Sequence, residues 1–111
     1  MRFSKQLLKG AADVIVMKAL DENGEAYGYQ LIKTIAESSD NIFEFQEGTL
    51  YPLLYRLEHK KLINSYQKTA PNGKTRRYYR LTDKGRKLLV SRAKELTTFV
   101  DALKQSLHLA A

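Results

Sequence analysis

A chain of 111 residues suffices for one domain around one core, and 43% hydrophobic with 28% charged residues excludes global disorder. The 19 Lys and Arg against 12 Asp and Glu leave a formal charge of +7, which points to an anionic partner. There is no cysteine, which excludes disulfides and thiolate metal sites and fits a cytoplasmic setting; Lys9, Asp13 and Lys18 interrupt the early apolar stretch, so neither a signal peptide nor a membrane span is expected.

The first predicted element is a helix over Phe3 to Leu20, carrying Leu7, Leu8, Ala11, Val14, Ile15, Met17 and Leu20 in a broad apolar pattern. Asp21-Glu22-Asn23-Gly24 reads as a turn. A second helix is predicted over Tyr27 to Glu37, with Tyr27, Leu31, Ile32 and Ile35 on one face and Tyr29 and Lys33 on the other. Ser38 to Asn41 ends it, and Ile42 to Phe45 forms a short link with apolar anchors.

A third helix is predicted over roughly Gly48 to Lys60, where Leu50, Leu53, Leu54 and Leu57 form a core-facing stripe. Proline is easily placed only in a helix's first turn. Two readings of Pro52 therefore stand: Thr49 caps the helix, or the helix starts earlier and bends at Pro52.

Leu62 to Thr69 and Thr75 to Leu81 read as strands joined by Ala70-Pro71-Asn72-Gly73-Lys74, a segment of strong turn chemistry. Thr82 and Asp83 then open a long final helix reaching about Leu107. The expected fold is mainly α with a small β-hairpin. Residues 1–82 form a winged helix-turn-helix, and residues 83–111 form a C-terminal dimerisation helix within the same compact unit.

Chemistry concentrates in three places. Between Lys68 and Lys87 lie eight cations, Lys68, Lys74, Arg76, Arg77, Arg80, Lys84, Arg86 and Lys87, against Asp83 alone; this surplus equals the charge of the whole chain. A hairpin so charged suits a phosphate backbone, although lysines on a strand edge also serve solubility. The outer face of the third helix presents Gly48, Pro52, Tyr55 and His59, flanked by Thr49, Tyr51 and Arg56. Hydroxyls, a guanidinium and aromatic edges suit a major groove, while packing of Tyr51 or Tyr55 on a neighbouring helix is the alternative.

The final helix carries Leu89, Ala93, Leu96, Val100, Leu103 and Leu107 at spacings of four and three, the alternation of a pairing seam, with Val90 and Phe99 widening the stripe. Its first turns are expected to touch the domain body and the remainder to meet a second chain. His59 and His108 lack metal-ligand spacing, and no nucleophile triad, phosphate-binding glycine loop or H-E-x-x-H occurs. No metal, cofactor or catalysis is expected. A winged module docking on another protein is a second reading, opposed by the lysines of the hairpin, because interface cores are depleted in lysine.

Three segments, Tyr27-Gly28-Tyr29-Gln30-Leu31, Glu47-Gly48-Thr49-Leu50-Tyr51-Pro52 through Glu58, and Arg76-Arg77-Tyr78-Tyr79-Arg80-Leu81-Thr82-Asp83-Lys84-Gly85, resemble the PadR family of bacterial transcriptional regulators in order and spacing. The length resembles its short class, with a single C-terminal helix. The resemblance implies a homodimer held by the last helix with help from the first. It also implies repression through double-stranded DNA at a promoter operator, and release by an effector in some members. Carried onto this chain, Tyr27, Thr49, Tyr51, Pro52 and Arg56 fall in the reading unit, and Lys74, Arg76 and Arg77 fall where the wing meets phosphate. Tyr29 and Tyr55 join the DNA-binding set on their outward wheel positions. Some short members of the family also take small aromatic effectors at the dimer interface. This chain has no tryptophan to stack there, and Phe99 is expected to serve core packing.

Overall fold

A computed structural model describes residues 3–108. The chain begins with two helices, α1 (Lys5–Lys9) and α2 (Ala12–Asn23), followed by a two-residue strand β1 (Ala26–Tyr27) and α3 (Gly28–Ser38). Then come α4 (Glu47–His59), strands β2 (Ile63–Thr69) and β3 (Thr75–Leu81), and α5 (Asp83–Ser106). The strands form an antiparallel sheet in the order β1-β3-β2. This is a mainly helical chain with a small sheet and a long last helix. The expected domain limits, residues 1 and 111, lie outside the described residues.

The stretch expected as one first helix is two. Ser4 caps α1, its Oγ accepting the Leu7 N–H at 3.2 Å, and the helix closes at Gly10. Gly10 keeps right-handed angles but has low helix propensity, and α2 restarts after Ala11. At the other end α2 runs through Asp21, Glu22 and Asn23, three residues expected in a turn. It stops at Gly24, whose φ of 80° is open to glycine and whose N–H reaches the Leu20 carbonyl at 2.9 Å.

Tyr27, expected as the first helical residue, is extended and precedes α3 as its cap; its N–H donates to Gln30 Oε1 at 3.2 Å. Ala26 and Tyr27 pair with Tyr79 and Tyr78 of β3. Two residues are too few for a periodic signal, so this strand was invisible in the sequence.

The third predicted helix, α4, begins at Glu47 with Gln46 as cap. Thr49 is therefore not the cap, and Pro52 lies beyond the first turn. Its missing N–H leaves the Gly48 carbonyl without a helical donor, and both residues are exposed, where water can serve that oxygen.

Leu50, Leu53, Leu54 and Leu57 of α4 meet Val16, Met17 and Leu20 of α2, Leu31 and Ile35 of α3, and Ile63, Tyr79 and Leu81 of the sheet. Each such aliphatic side chain contributes about 1.5–3 kcal/mol of burial. The hairpin turn closes through the Ala70 N–H to the Lys74 carbonyl at 2.8 Å, with Gly73 at φ 85°. Thr82 then caps α5: its Oγ1 accepts the Gly85 N–H at 3.0 Å and donates to the Lys61 carbonyl at 2.8 Å. Gly85 presses so closely on β2's approach that a Cβ there would overlap the Leu62 carbonyl oxygen.

Candidate nucleic-acid interface

The sheet's two faces divide the labour of the wing. Ile63, Tyr79 and Leu81 point inward. On the other face Tyr27, Tyr78 and Tyr66 share one row, since Tyr78 pairs with both neighbours. The Tyr27 and Tyr78 rings meet edge-on at 5.4 Å, and those of Tyr66 and Tyr78 are nearly parallel at 6.3 Å. Each ring carries a cation: Arg76 lies 4.4 Å from the Tyr27 centroid, Lys68 5.1 Å from Tyr78 and Arg80 5.3 Å from Tyr66. A cation held on a π face loses conformers without losing charge, so these side chains are ordered before any ligand arrives.

Glu25, just ahead of β1, anchors this layer. Its carboxylate accepts from Tyr66 Oη and from Lys68 Nζ. The bonds from Lys68 and Tyr66 hold the Glu25 carboxyl below its ordinary range; the same contact holds the Lys68 ammonium above its own, and burial together with Glu25 raises the Tyr66 hydroxyl. One expected cation, Lys68, is thus matched by an internal carboxylate. Lys74, at the turn, is exposed, and its backbone N–H is held by Asn72 Oδ1 at 3.0 Å. Arg77 donates to Ser65 Oγ at 2.8 Å, and Ser65 donates in turn to Glu58 of α4.

The predicted reading face takes shape on α3 and α4. Tyr29 and Tyr55 are the most outward of its tyrosines, 62% and 72% exposed, and the Tyr55 ring stacks with His59 at 6.4 Å. Thr49 and Pro52 are exposed alongside. Tyr51 combines the two roles considered for it. It is partly exposed, yet its ring lies over Gly28, where a Cβ would overlap its hydroxyl. The glycine between Tyr27 and Tyr29 is needed here for room, not for an unusual φ. Arg56 donates to Asp13 Oδ1 of α2 at 3.3 Å, so its charge is partly spoken for.

These elements meet in a cleft of about 300 Å³ between the start of α3, the start of α4 and strand β3. Tyr27, Tyr29, Tyr51, Arg76 and Arg77 line it together with Gly28 and Tyr79. Thr49, Pro52, Tyr55, Arg56 and Lys74 are not among its lining residues. Glu25, Gly28 and Tyr79 had not been singled out. The period-two pattern that sets Tyr79 beside Leu81 was the available signal for Tyr79.

On α5, two expectations are corrected. Leu89, assigned to the pairing seam, is 4% exposed and belongs to the core of its own protomer, so it has no surface to offer a second chain. Phe99, expected to pack in a core, is 62% exposed. Ala93 and Leu96 are half-buried, while Val100, Leu103 and Leu107 are exposed. No helix among the described residues is long and apolar enough to cross a membrane.

The sequence matches the model of the transcriptional regulator PadR-like family over residues 16–91. It is similar to an uncharacterized protein of Lysinibacillus sphaericus, at 34% identity over 80% of this chain and 81% of that one. Among solved structures, it is similar to a transcriptional regulator from Clostridium thermocellum, with TM-score 0.81 and 30% identity over 91% of this chain and 97% of the other. It is also similar to a PadR-like transcriptional regulator from Bacillus cereus, with TM-score 0.80 and 29% identity over 93% and 97% of the two chains. The chain belongs to the PadR-like family of transcriptional regulators, DNA-binding proteins rather than enzymes, and its tyrosine- and arginine-lined winged helix is the family's fold.

Proposed function

We propose that this protein is a cytoplasmic repressor that binds a promoter operator as a homodimer. Residues 1–82 carry the DNA-binding unit and the helix from residue 83 onward carries dimerisation. The observation that supports this most is the meeting of Arg76 and Arg77 with Tyr29 and Tyr51 in one exposed cleft beside the outward face of α4. In this reading the wing, through Lys74, Arg76 and Arg77, supplies affinity for phosphate. Thr49, Tyr51, Pro52, Tyr55 and Arg56 of α4, with Tyr29, supply discrimination. Mapping the sites occupied across the genome tests the reading directly. A small set of promoter sites supports it, and uniform background occupancy overturns it.

Discrimination gives a sharper expectation. Thr49→Ala removes an exposed hydroxyl and leaves the core intact. It should lower the preference for the operator over random duplex by about 5- to 10-fold, the value of one base contact at the lower end, with little change on random duplex. Equal losses on both sequences would remove Thr49 from the reading set.

Pairing is assigned to Leu96, Phe99, Val100, Leu103 and Leu107, with Ala93 at the edge and α1 assisting through its exposed Leu7. Large apolar side chains repeated along one exposed helix favour a second copy. Phe99→Asp with Leu103→Asp changes side chains that are exposed in the single protomer, so the fold should survive while sedimentation shifts from dimer to monomer. An unshifted dimer would place the interface elsewhere. A small aromatic effector at this interface completes the proposal. The shallow site of about 300 Å³ formed by Val14, Lys18, Asp21, Leu89, Val90 and Ala93 is open to it from the α5 side.

A further inference from the structure

Of the three cations laid on the outer tyrosine row, one is withheld. Among the described residues Arg76 and Arg80 are ion-paired to no carboxylate, while Lys68 is paired to Glu25. Glu25 stands just ahead of β1, 43 positions from Lys68 in the sequence, so the pair ties the entry of α3 to the wing. The Lys68 side chain is 48% exposed. Burial therefore does not keep it from an incoming anion; the carboxylate does.

Anchoring alone does not call for a charge at position 25. Tyr66 Oη donates to Glu25 Oε1, and a neutral amide oxygen would accept that bond as well. Glu25 Oε2 takes the Lys68 ammonium, and only a carboxylate cancels its charge. The bonds from Lys68 and Tyr66 hold the Glu25 carboxyl below its ordinary range, so it is ionised at neutral pH. Arg80, seated on the Tyr66 ring, adds to that pull. A cation neutralised in this way displaces no counter-ion from a duplex. A phosphate that reached Lys68 would have to evict Glu25, exchanging one charge-assisted bond for another and leaving a carboxylate beside a polyanion.

We propose, resting on the DNA-binding reading of the wing, that Glu25 is a restraining residue: by occupying Lys68 it holds the wing's grip on duplex phosphates one contact below what its cations would give. Such a contact carries no base information. Withholding it lowers occupancy of the random sites that compete with an operator.

The test is Glu25→Gln, which keeps an acceptor for Tyr66 and frees Lys68. Binding to a random-sequence duplex should tighten about 5-fold at roughly 0.15 M salt, the counter-ion release of one phosphate contact, and the salt slope should steepen by about 1. A loosened fold would bind less, so a tighter and steeper curve separates restraint from anchoring. Glu95→Gln removes an exposed carboxylate from α5, makes the same change in net charge and should keep the parent's slope. Glu25→Gln with Lys68→Met removes both charges and should return affinity and slope to the parent's values. If the parent binds duplex, a Glu25→Gln slope no steeper than the parent's overturns the proposal and leaves the DNA reading standing. So does a gain that Glu95→Gln or the double variant shares. A parent that ignores random duplex at low ionic strength takes down both.

Discussion

Replacing Gly85 with alanine is expected to destabilise the protein by about 3 kcal/mol, the upper end for forced overpacking, and to lower its thermal midpoint by roughly 10–15 °C. Two effects oppose each other at this position. Gly85 is the third residue of a 24-residue helix, and helix propensity alone favours alanine by about 1 kcal/mol. The added Cβ, however, meets the backbone oxygen of Leu62 and crowds Leu81. A carbonyl in the chain turn ahead of β2 cannot rotate aside as a side chain can. Leu62 is also the acceptor for the Thr82 N–H at 3.1 Å, so moving it loosens the junction that starts α5. Thermal and denaturant unfolding of the variant decide the sign, and a rise in stability would mean that propensity outweighs the contact.

The second large effect is on DNA. Arg76→Ala with Arg77→Ala should weaken binding to every duplex by about 100-fold, about 1.5 kcal/mol for each charge-assisted contact. It should also reduce the salt slope by about 2, one for each phosphate no longer neutralised. The two arginines are held differently, Arg76 on the Tyr27 ring and Arg77 on Ser65 Oγ. Among the described residues neither is paired with a carboxylate, so truncating them leaves no buried charge behind there. Thermal unfolding should stay near the parent value, which separates lost contact from lost fold. A parent-like slope would take the wing off the phosphate backbone.

Much of this fold was legible because its signals are periodic. The leucines at 50, 53, 54 and 57 announced α4's buried face, and Ala70 to Lys74 announced the hairpin through turn chemistry. What the sequence withheld depends on contacts between distant segments. The break at Gly10 leaves an apolar pattern uninterrupted, so periodicity passed over it. Strand β1 exists because Ala26 and Tyr27 lie beside β3, a neighbour about fifty positions away. The site behaved likewise. Its basic and aromatic residues were visible as a local cluster. Glu25's bond to Lys68 and the seating of Tyr51 on Gly28 arise only once the segments are folded together. Leu89 and Phe99 show the limit of a spacing argument on α5. Both fit a helical stripe, but the stripe continues past the end of the domain body, so one of them is interior and the other is bare.

If the proposed pairing through that overhang holds, the regulator's potency depends on its abundance. Of α5's 24 residues only Gly85 and Leu89 are buried within the protomer, which leaves Phe99, Val100 and Leu103, and Leu107 just past the helix end, uncovered in a solitary chain. If those side chains are satisfied only by a twin, the share of two-headed molecules falls steeply on dilution, by mass action. Promoter occupancy then climbs faster than the protein's own level, and a modest change in synthesis or turnover moves a gene between silent and expressed without any change in the DNA-facing surface.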